Sequence, residues 1–388
     1  MLRSDGRFLT THAGSLPRSP RLVELHALRA RGEPVDADEF AAAIEESTLA
    51  IVRLQSDCGI DIGNDGEQAR ESFFTYVQHR LSGFGDSWMR PIMADIQAFP
   101  GWAVLRAEEL AKRSVSLIQL PACVGDVRSL GTDEVATECD VFRRSLASSS
   151  FGEIFMTAAS PGIVALAMEN RHYDGLELYV AALADAMRPE YEYIVSQGFV
   201  LQIDAPDLAM ERHVTYHDRP IDEFREFVDL VVDNLNRVLA DVPRDRVRLH
   251  VCWGNYDGPH VFDVALADIL PNLYRANVGA LVLSMANPRH AHEHRVFADH
   301  PVPDDLTLIA GVIDTTTNYV EHPEVVAERI QRIAGIVGDP SRVLAGTDCG
   351  FDTSAGFRTI AEDICWEKLR ALRAGAEIAT ARVFGRRA

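Results

Sequence analysis

Apolar residues along this chain fall into short, nearly unbroken runs separated by longer stretches with helical spacing. The runs at 7–12, 59–65, 153–159, 199–205, 246–253, 280–287, 306–314 and 342–348 predict eight strands. They do not alternate apolar with polar residues, as a sheet with one wet face would. A parallel sheet covered on both faces is therefore expected. Between the runs, residues 38–57 carry Phe40, Ile44, Leu49, Ile51 and Val52, with Gly59 as a stop. Residues 176–196, 221–239, 322–337 and 360–377 read the same way, and Pro189 is expected to kink its helix. Strands alternating with helices in this number predict an α/β fold of the (β/α)8 TIM-barrel type. Residues 70–132 are too long for one connection and are read as an insertion between strands two and three, a hairpin or small cap. No repeat or linker divides the chain, so residues 1–388 are expected to form a single domain.

Composition narrows the function. At 47% hydrophobic and 25% charged residues, a chain of 388 has ample material for a core. The net charge of −20 argues against nucleic acid as a partner and gives no attraction to an anionic membrane surface. No apolar run reaches the length of a membrane span, and the first residues lack the apolar core of a signal peptide. Six cysteines in a chain this long are no disulfide framework. A cytoplasmic protein with reduced thiols is expected. Homo-oligomerisation stays open.

Candidate chemistry sits at the strand ends. In a (β/α)8 barrel, reactive groups come from the C-terminal ends of the strands and the loops after them. The fifth run ends in "LHVCWG", with His250 and Cys252 two positions apart. The eighth ends in "AGTDCG", with Cys349. Both face the same end of the barrel, so the three residues can converge on one ion. Two thiolates and an imidazole suit Zn2+, and three protein ligands leave a position open for a substrate. The other four cysteines read as small buried hydrophobes or helix-surface residues. More polar groups cluster at that end: His12, Ser15 and Arg18 after strand one, and Asp65, Glu67 and Arg70 after strand two. Gln202, Asp204 and Asp207 follow strand four, Asn287 strand six and Asp314 strand seven.

The motifs "HAGSLPR", "DGE", "LQIDAPDLA", "HVCWGNYDGPH", "NPRHAHE", "GVIDTTTNYVEHPEVVAERI" and "GTDCGF" span essentially the whole chain. Together they resemble the cobalamin-independent methionine synthase family. The likeness is to compact members matching its catalytic C-terminal half, such as the epoxyalkane:coenzyme M transferases. The resemblance implies zinc bound by His250, Cys252 and Cys349. It implies a thiol substrate held by Ser15, Glu67 and Asp204. Two positions depart from the methionine synthases. Where those enzymes have a further glutamate ligand, this chain has Met285. Where they have a histidine near the folate, it has Thr316, although Asp314 remains.

These readings predict a zinc-dependent S-alkyltransferase whose partners are a small-molecule thiol and an alkyl donor. Without the extra carboxylate, the site favours an epoxide or another activated donor over the methyl group of a folate. The alternatives are methionine synthesis from methyltetrahydrofolate and homocysteine, a corrinoid-dependent thiol methyltransferase, and a non-catalytic zinc protein. Candidates for the proton donor are Tyr256, His290, His292 and Tyr319. Glu293 is the alternative source of a missing carboxylate. Arg18 or Arg70 is available to an acidic group on the substrate.

Overall fold

The structure, a computed structural model, describes residues 1–110 and 115–385. Its strands are β1 (Ile62–Gly63), β2 (Phe84–Met89), β3 (Gln119–Cys123), β4 (Glu153–Ala159), β5 (Val200–Asp204), β6 (Val247–Val251), β7 (Ala280–Leu283), β8 (Thr307–Ile313) and β9 (Val343–Thr347). One curled sheet runs β1-β4-β5-β6-β7-β8-β9, parallel throughout. The gap between its two edges is filled by residues 9–11. Thr11 N–H donates to Ala345 O and Ala345 N–H to Leu9 O, both at 2.9 Å, while Ile62 N–H donates to Thr10 O at 3.0 Å. The ring is thereby closed, as the apolar runs predict.

Several strands are shorter than the apolar runs, because side chains take the backbone groups that would extend the ladder. The expected strand at 7–12 is reduced to a bridge at Thr10, whose N–H is claimed by Asp61 Oδ2 at 2.9 Å. The run at 59–65 stops at Gly63, where Asn64 N–H turns to Gln55 Oε1 at 3.0 Å. The run at 280–287 stops at Leu283. The N–H groups of Met285, Ala286 and Asn287 go instead to the Asp348 carboxylate, each at 2.8 Å.

Both faces of the sheet are buried, which is why the runs do not alternate. Leu9, Ile62, Phe155, Val200, Ala280, Val282, Ile309 and Leu344 form a separate apolar plug inside the ring. Leu201 and Ile203 of β5, Leu249 and Val251 of β6, and Leu281 and Leu283 of β7 belong instead to the larger core under the helices. Residues 37–57, 176–196, 221–238, 323–337 and 362–383 are long helices of that outer layer, and Pro189 lies within the second of them.

The segment after β1 departs from the barrel. β2 and β3 pair as an antiparallel hairpin, with helices Ala94–Ala98 and Pro100–Leu110 between them. Trp88 Nε1 donates to Ala167 O at 2.8 Å and ties the hairpin to the barrel loops. All six cysteines are buried and unpaired. Among the described residues, no helix is long and apolar enough to cross a membrane.

The interior plug depends on its one aromatic member. Phe155→Ala should cost about 3–5 kcal/mol, the usual range for emptying a buried aromatic site. Urea unfolding checks this, and a loss below about 1 kcal/mol would mean that the plug collapses around the gap.

Candidate metal centre

Alternation along β6 and its extension builds the centre. Arg248, His250 and Cys252 follow one another at every second residue, so all three face into the ring. Just above the plug, the Arg248 guanidinium lies 3.4 Å from the centre of the Phe155 ring. It donates to Gln202 Oε1 at 2.7 Å and His12 O at 2.8 Å. Burial pulls its pKa down to about 9, against the pull of Asp204 and Glu153.

One layer higher, His250, Cys252 and Cys349 each offer a donor atom, and these atoms lie within 4.8 Å of one another. All three residues are buried, and the two sulfurs are 4.0 Å apart. His250 Nδ1 lies 2.9 Å from Asp204 Oδ1, which leaves Nε2, 3.4 Å from Asp348 O, as the nitrogen that could hold a metal. Such carboxylate backing fixes the tautomer and orientation of metal-binding imidazoles. Burial opposes charge on His250, but the hydrogen bond to Asp204 and the neighbouring Cys252 raise its pKa to about 10. The hydrogen bond from Cys349, with help from His250, holds the Cys252 thiol well below its ordinary range, while Cys349 is pushed well above its own. A buried sulfur so easily held as thiolate is the chemistry that a soft cation requires, and the donor set fits zinc. Among the described residues, no carboxylate joins this group.

His250, Cys252 and Cys349 lie in the wall of a cavity of about 710 Å3 that opens beneath the hairpin. Ser15, Glu67 and Asp204 share that wall. Glu67 sits at φ +58°. Gly14 makes room for it, since a Cβ there would stand 2.6 Å from Glu67 Oε1. Oε1 accepts from the Thr157 hydroxyl at 3.2 Å, but Oε2 is buried without a partner. Burial, reinforced by the nearby Asp204, pushes the Glu67 carboxyl up to about 8. Ser15 lies so close to Gly350, the residue after Cys349, that the loop has no space for a side chain there.

Other candidates are placed elsewhere. His12 is buried against Gln55 Oε1 at 2.8 Å, and burial keeps it neutral by lowering its pKa to about 4. Arg18 is fully buried and gives its guanidinium to the carbonyls of Asp352 and Glu67. Arg70 is paired with Glu138 at 2.9 Å. None of the three lines the cavity. Asn287 braces the Asp348 carboxylate, and Asp314 accepts from the hydroxyls of Thr316 and Thr317. Met285 is packed in the main core rather than in the cavity wall. The β7 side that meets the centre is represented by Ser284, whose hydroxyl donates to Asp348 O at 2.7 Å. Glu293 is also directed elsewhere, accepting from Leu266 N–H at 3.1 Å.

Of the four expected proton donors, Tyr256 reaches the cavity wall, with its hydroxyl donating to Asp95 Oδ2 at 3.0 Å. His290 is stacked on Trp253 and donates to Asp263. His292 is exposed, and Tyr319 is 83% exposed. Sequence reasoning passed over Arg248 as a brace for the layer below the centre. Its signal was its place two residues before His250. It also passed over Arg358, which lines the cavity from the loop after β9 and carries no motif.

A family model described as the catalytic domain of cobalamin-independent synthases matches residues 8–364. A methionine synthase of Thermococcus kodakarensis is 26% identical over 373 residues, covering 95% of this chain and 92% of that one. A 2-hydroxypropyl-CoM lyase of Xanthobacter autotrophicus is 25% identical over 382 residues, covering 90% and 88%. A B12-independent methionine synthase from a Shewanella species, solved with selenomethionine, superposes with a TM-score of 0.75 at 20% identity. That match covers 98% of this chain and 99% of the other, and it establishes the TIM-barrel type of fold.

Cys252→Ala and Cys349→Ala should each abolish zinc binding at this centre. Asp204→Asn keeps all three donors but loosens the imidazole, and should bind zinc on the order of 10–100-fold more weakly. Competition against a chromogenic chelator measures both effects. Unchanged affinity in Asp204→Asn would remove its orienting role.

Proposed function

The chain belongs to the cobalamin-independent synthase catalytic-domain family, and from that premise we propose that it transfers an alkyl group to a small thiol held beside His250, Cys252 and Cys349. The observation that carries this reading is the convergence of three soft donors and an unpartnered carboxylate oxygen on one cavity. Zinc bound there would supply an anionic sulfur nucleophile at neutral pH, because a coordinated thiol gives up its proton.

The residues around the centre divide the remaining work. Asp204 holds the His250 ring in its ligating orientation through Oδ1. Glu67 Oε2 is available to an ammonium group, and Asp204 beside it adds negative charge. An aminothiol therefore fits this wall. Arg358 also lines the cavity, but its guanidinium is already engaged by Glu362, Asp352 and the Arg18 carbonyl, so an acidic group on the same molecule would meet a cation that is partly neutralised. Ile92, Met93, Ile96, Trp102 and Leu117 bring apolar surface from the cap, which seats the alkyl donor and excludes water.

Donor choice follows from the ligand set. Two thiolates and one neutral imidazole carry one negative charge fewer than the same set with a carboxylate. A less electron-rich centre leaves the substrate sulfur a weaker nucleophile. A strained epoxide or another activated alkyl group suits it better than a methyl on a tertiary amine. Thr316 lines the cavity, but its hydroxyl is given to Asp314 at 2.8 Å, so no strong acid stands there. The second reading is methionine synthesis, which the Glu67–Asp204 pair and the relatives named methionine synthase favour.

Zinc-loaded protein should convert an epoxide in the presence of an aminothiol or coenzyme M faster than it forms methionine from methyltetrahydrofolate and homocysteine. Parallel product assays decide between the readings, and brisk methionine formation would establish the second.

Glu67→Gln should weaken aminothiol binding by about 1.5–3 kcal/mol, the scale of a hydrogen bond to a charged group. The same variant has a stability signature. The folded pKa of about 8 lies above the carboxyl's ordinary 4.5, so the fold favours the protonated form. Stability of the metal-free protein should therefore fall as pH rises from about 4.5 to about 8, and this slope should flatten in Glu67→Gln. Thermal melts across that window check the sign. Unchanged thiol affinity together with an unchanged slope would place Glu67 outside the site.

A further inference from the structure

A second group of ligating side chains lies apart from the cysteine centre. Asp95 comes from the cap helix Ala94–Ala98, His213 from the turn after β5, and His260 and Asp263 from the loop after β6. One donor atom from each lies within 4.8 Å of the others. No residue is shared with His250, Cys252 and Cys349.

Hydrogen bonding leaves this group incomplete. His213 is fully buried, yet neither ring nitrogen has a hydrogen-bond partner. Its Nδ1 is 2.8 Å from Asp263 Oδ1 and 3.7 Å from Asp95 Oδ2, and Asp263 Oδ1 is also without a hydrogen bond. Among the described residues, neither carboxylate is ion-paired to a lysine or arginine. Two buried carboxylates with only imidazoles to balance their charge form a costly arrangement unless a cation joins them.

The atoms that are satisfied are satisfied from outside the group. Tyr256 O–H donates to Asp95 Oδ2 at 3.0 Å, and Val261 N–H donates to Asp95 Oδ1 at 3.1 Å. His290 Nε2 donates to Asp263 Oδ2 at 2.8 Å. His260 Nε2 lies 2.9 Å from Tyr256 O, which orients the ring with Nδ1 toward Asp263. Outer partners of this kind hold first ligands in place around a metal.

We propose that Asp95, His213, His260 and Asp263 form a second metal site, which takes a divalent transition ion, zinc above all, and staples the cap to the barrel. Two imidazoles and two carboxylates make a closed set of four, as structural zinc prefers, and they neutralise its charge. Mn2+ and Fe2+ accept the same donors less tightly than zinc. Asp95 is the one ligand from the insertion, so the ion fixes the lid over the cavity. Tyr256 links the two, since it lines the cavity and bonds to Asp95.

The test is metal stoichiometry on the full chain stripped with a chelator and titrated with Zn2+ or Co2+. Two equivalents are expected per chain. The double variant Cys252→Ala/Cys349→Ala should keep one equivalent, and its Co2+ form should show ligand-field bands without thiolate charge transfer. His213→Ala should also keep one, this time with the thiolate band. The second equivalent should slow hydrogen exchange across the 84–105 segment in the wild type. A single equivalent in the wild type that carries the thiolate band overturns the proposal, as does a folded double cysteine variant that binds no ion. If His213→Ala does not fold, the cysteine variant and the wild-type stoichiometry decide alone. Failure of the cysteine centre has a different signature, in which the wild type lacks any thiolate band but still binds one ion.

Discussion

The closed parallel ring sends every second residue of a strand inward, and the centre is built by that constraint. On β6 the inward positions are Arg248 and His250, continued by Cys252, and on β5 they are Val200, Gln202 and Asp204. The interior is therefore layered from an apolar plug through a guanidinium–amide layer to the metal donors. A slip of one residue in β6 would exchange Arg248 and His250 for Leu249 and Val251 and abolish the guanidinium–amide layer and the donor layer together.

Buried charge is handled differently in each layer. Arg248 lies deep without a carboxylate in contact, and aromatic and neutral oxygen partners stabilise it at the cost of a lowered pKa. Asp348 is satisfied almost entirely by N–H groups, three from the backbone after β7. That bond set ties the end of β7 to the loop carrying Cys349, so the position of one candidate metal donor is inherited from a carboxylate outside the donor set. Burial still pushes the Asp348 carboxyl up to about 6, the usual consequence of removing a charge from water.

Strand identity was legible because burial on two faces leaves an unbroken apolar run. Strand length was not, since Asp61, Gln55 and Asp348 intercept backbone groups from distant parts of the chain. The His250, Cys252 and Cys349 set was legible from position, as reactive residue types at the ends of two strands facing one mouth. Arg18 was not, because nothing in its surroundings in the sequence says that two carbonyls will take its guanidinium. Tyr256 and Asp95 are 161 residues apart, and the insertion has no periodicity that would place Asp95 over the barrel. His292 and Tyr319 are exposed, although Thr316, Thr317 and Asn318 nearby line the cavity and Glu293 and His294 are buried, and residue type alone does not distinguish them.

The 4.0 Å between the Cys252 and Cys349 sulfurs has a consequence for oxidation. Two buried thiols this close, one of them readily ionised, need little movement to reach disulfide bonding distance. Oxidation would remove both sulfur donors in one event and cross-link two strand ends that are 97 residues apart. A bound ion occupies the lone pairs that an oxidant would attack. A metal bound there would thus protect its own ligands, and protein that had lost it in air would be unable to take it back until reduced.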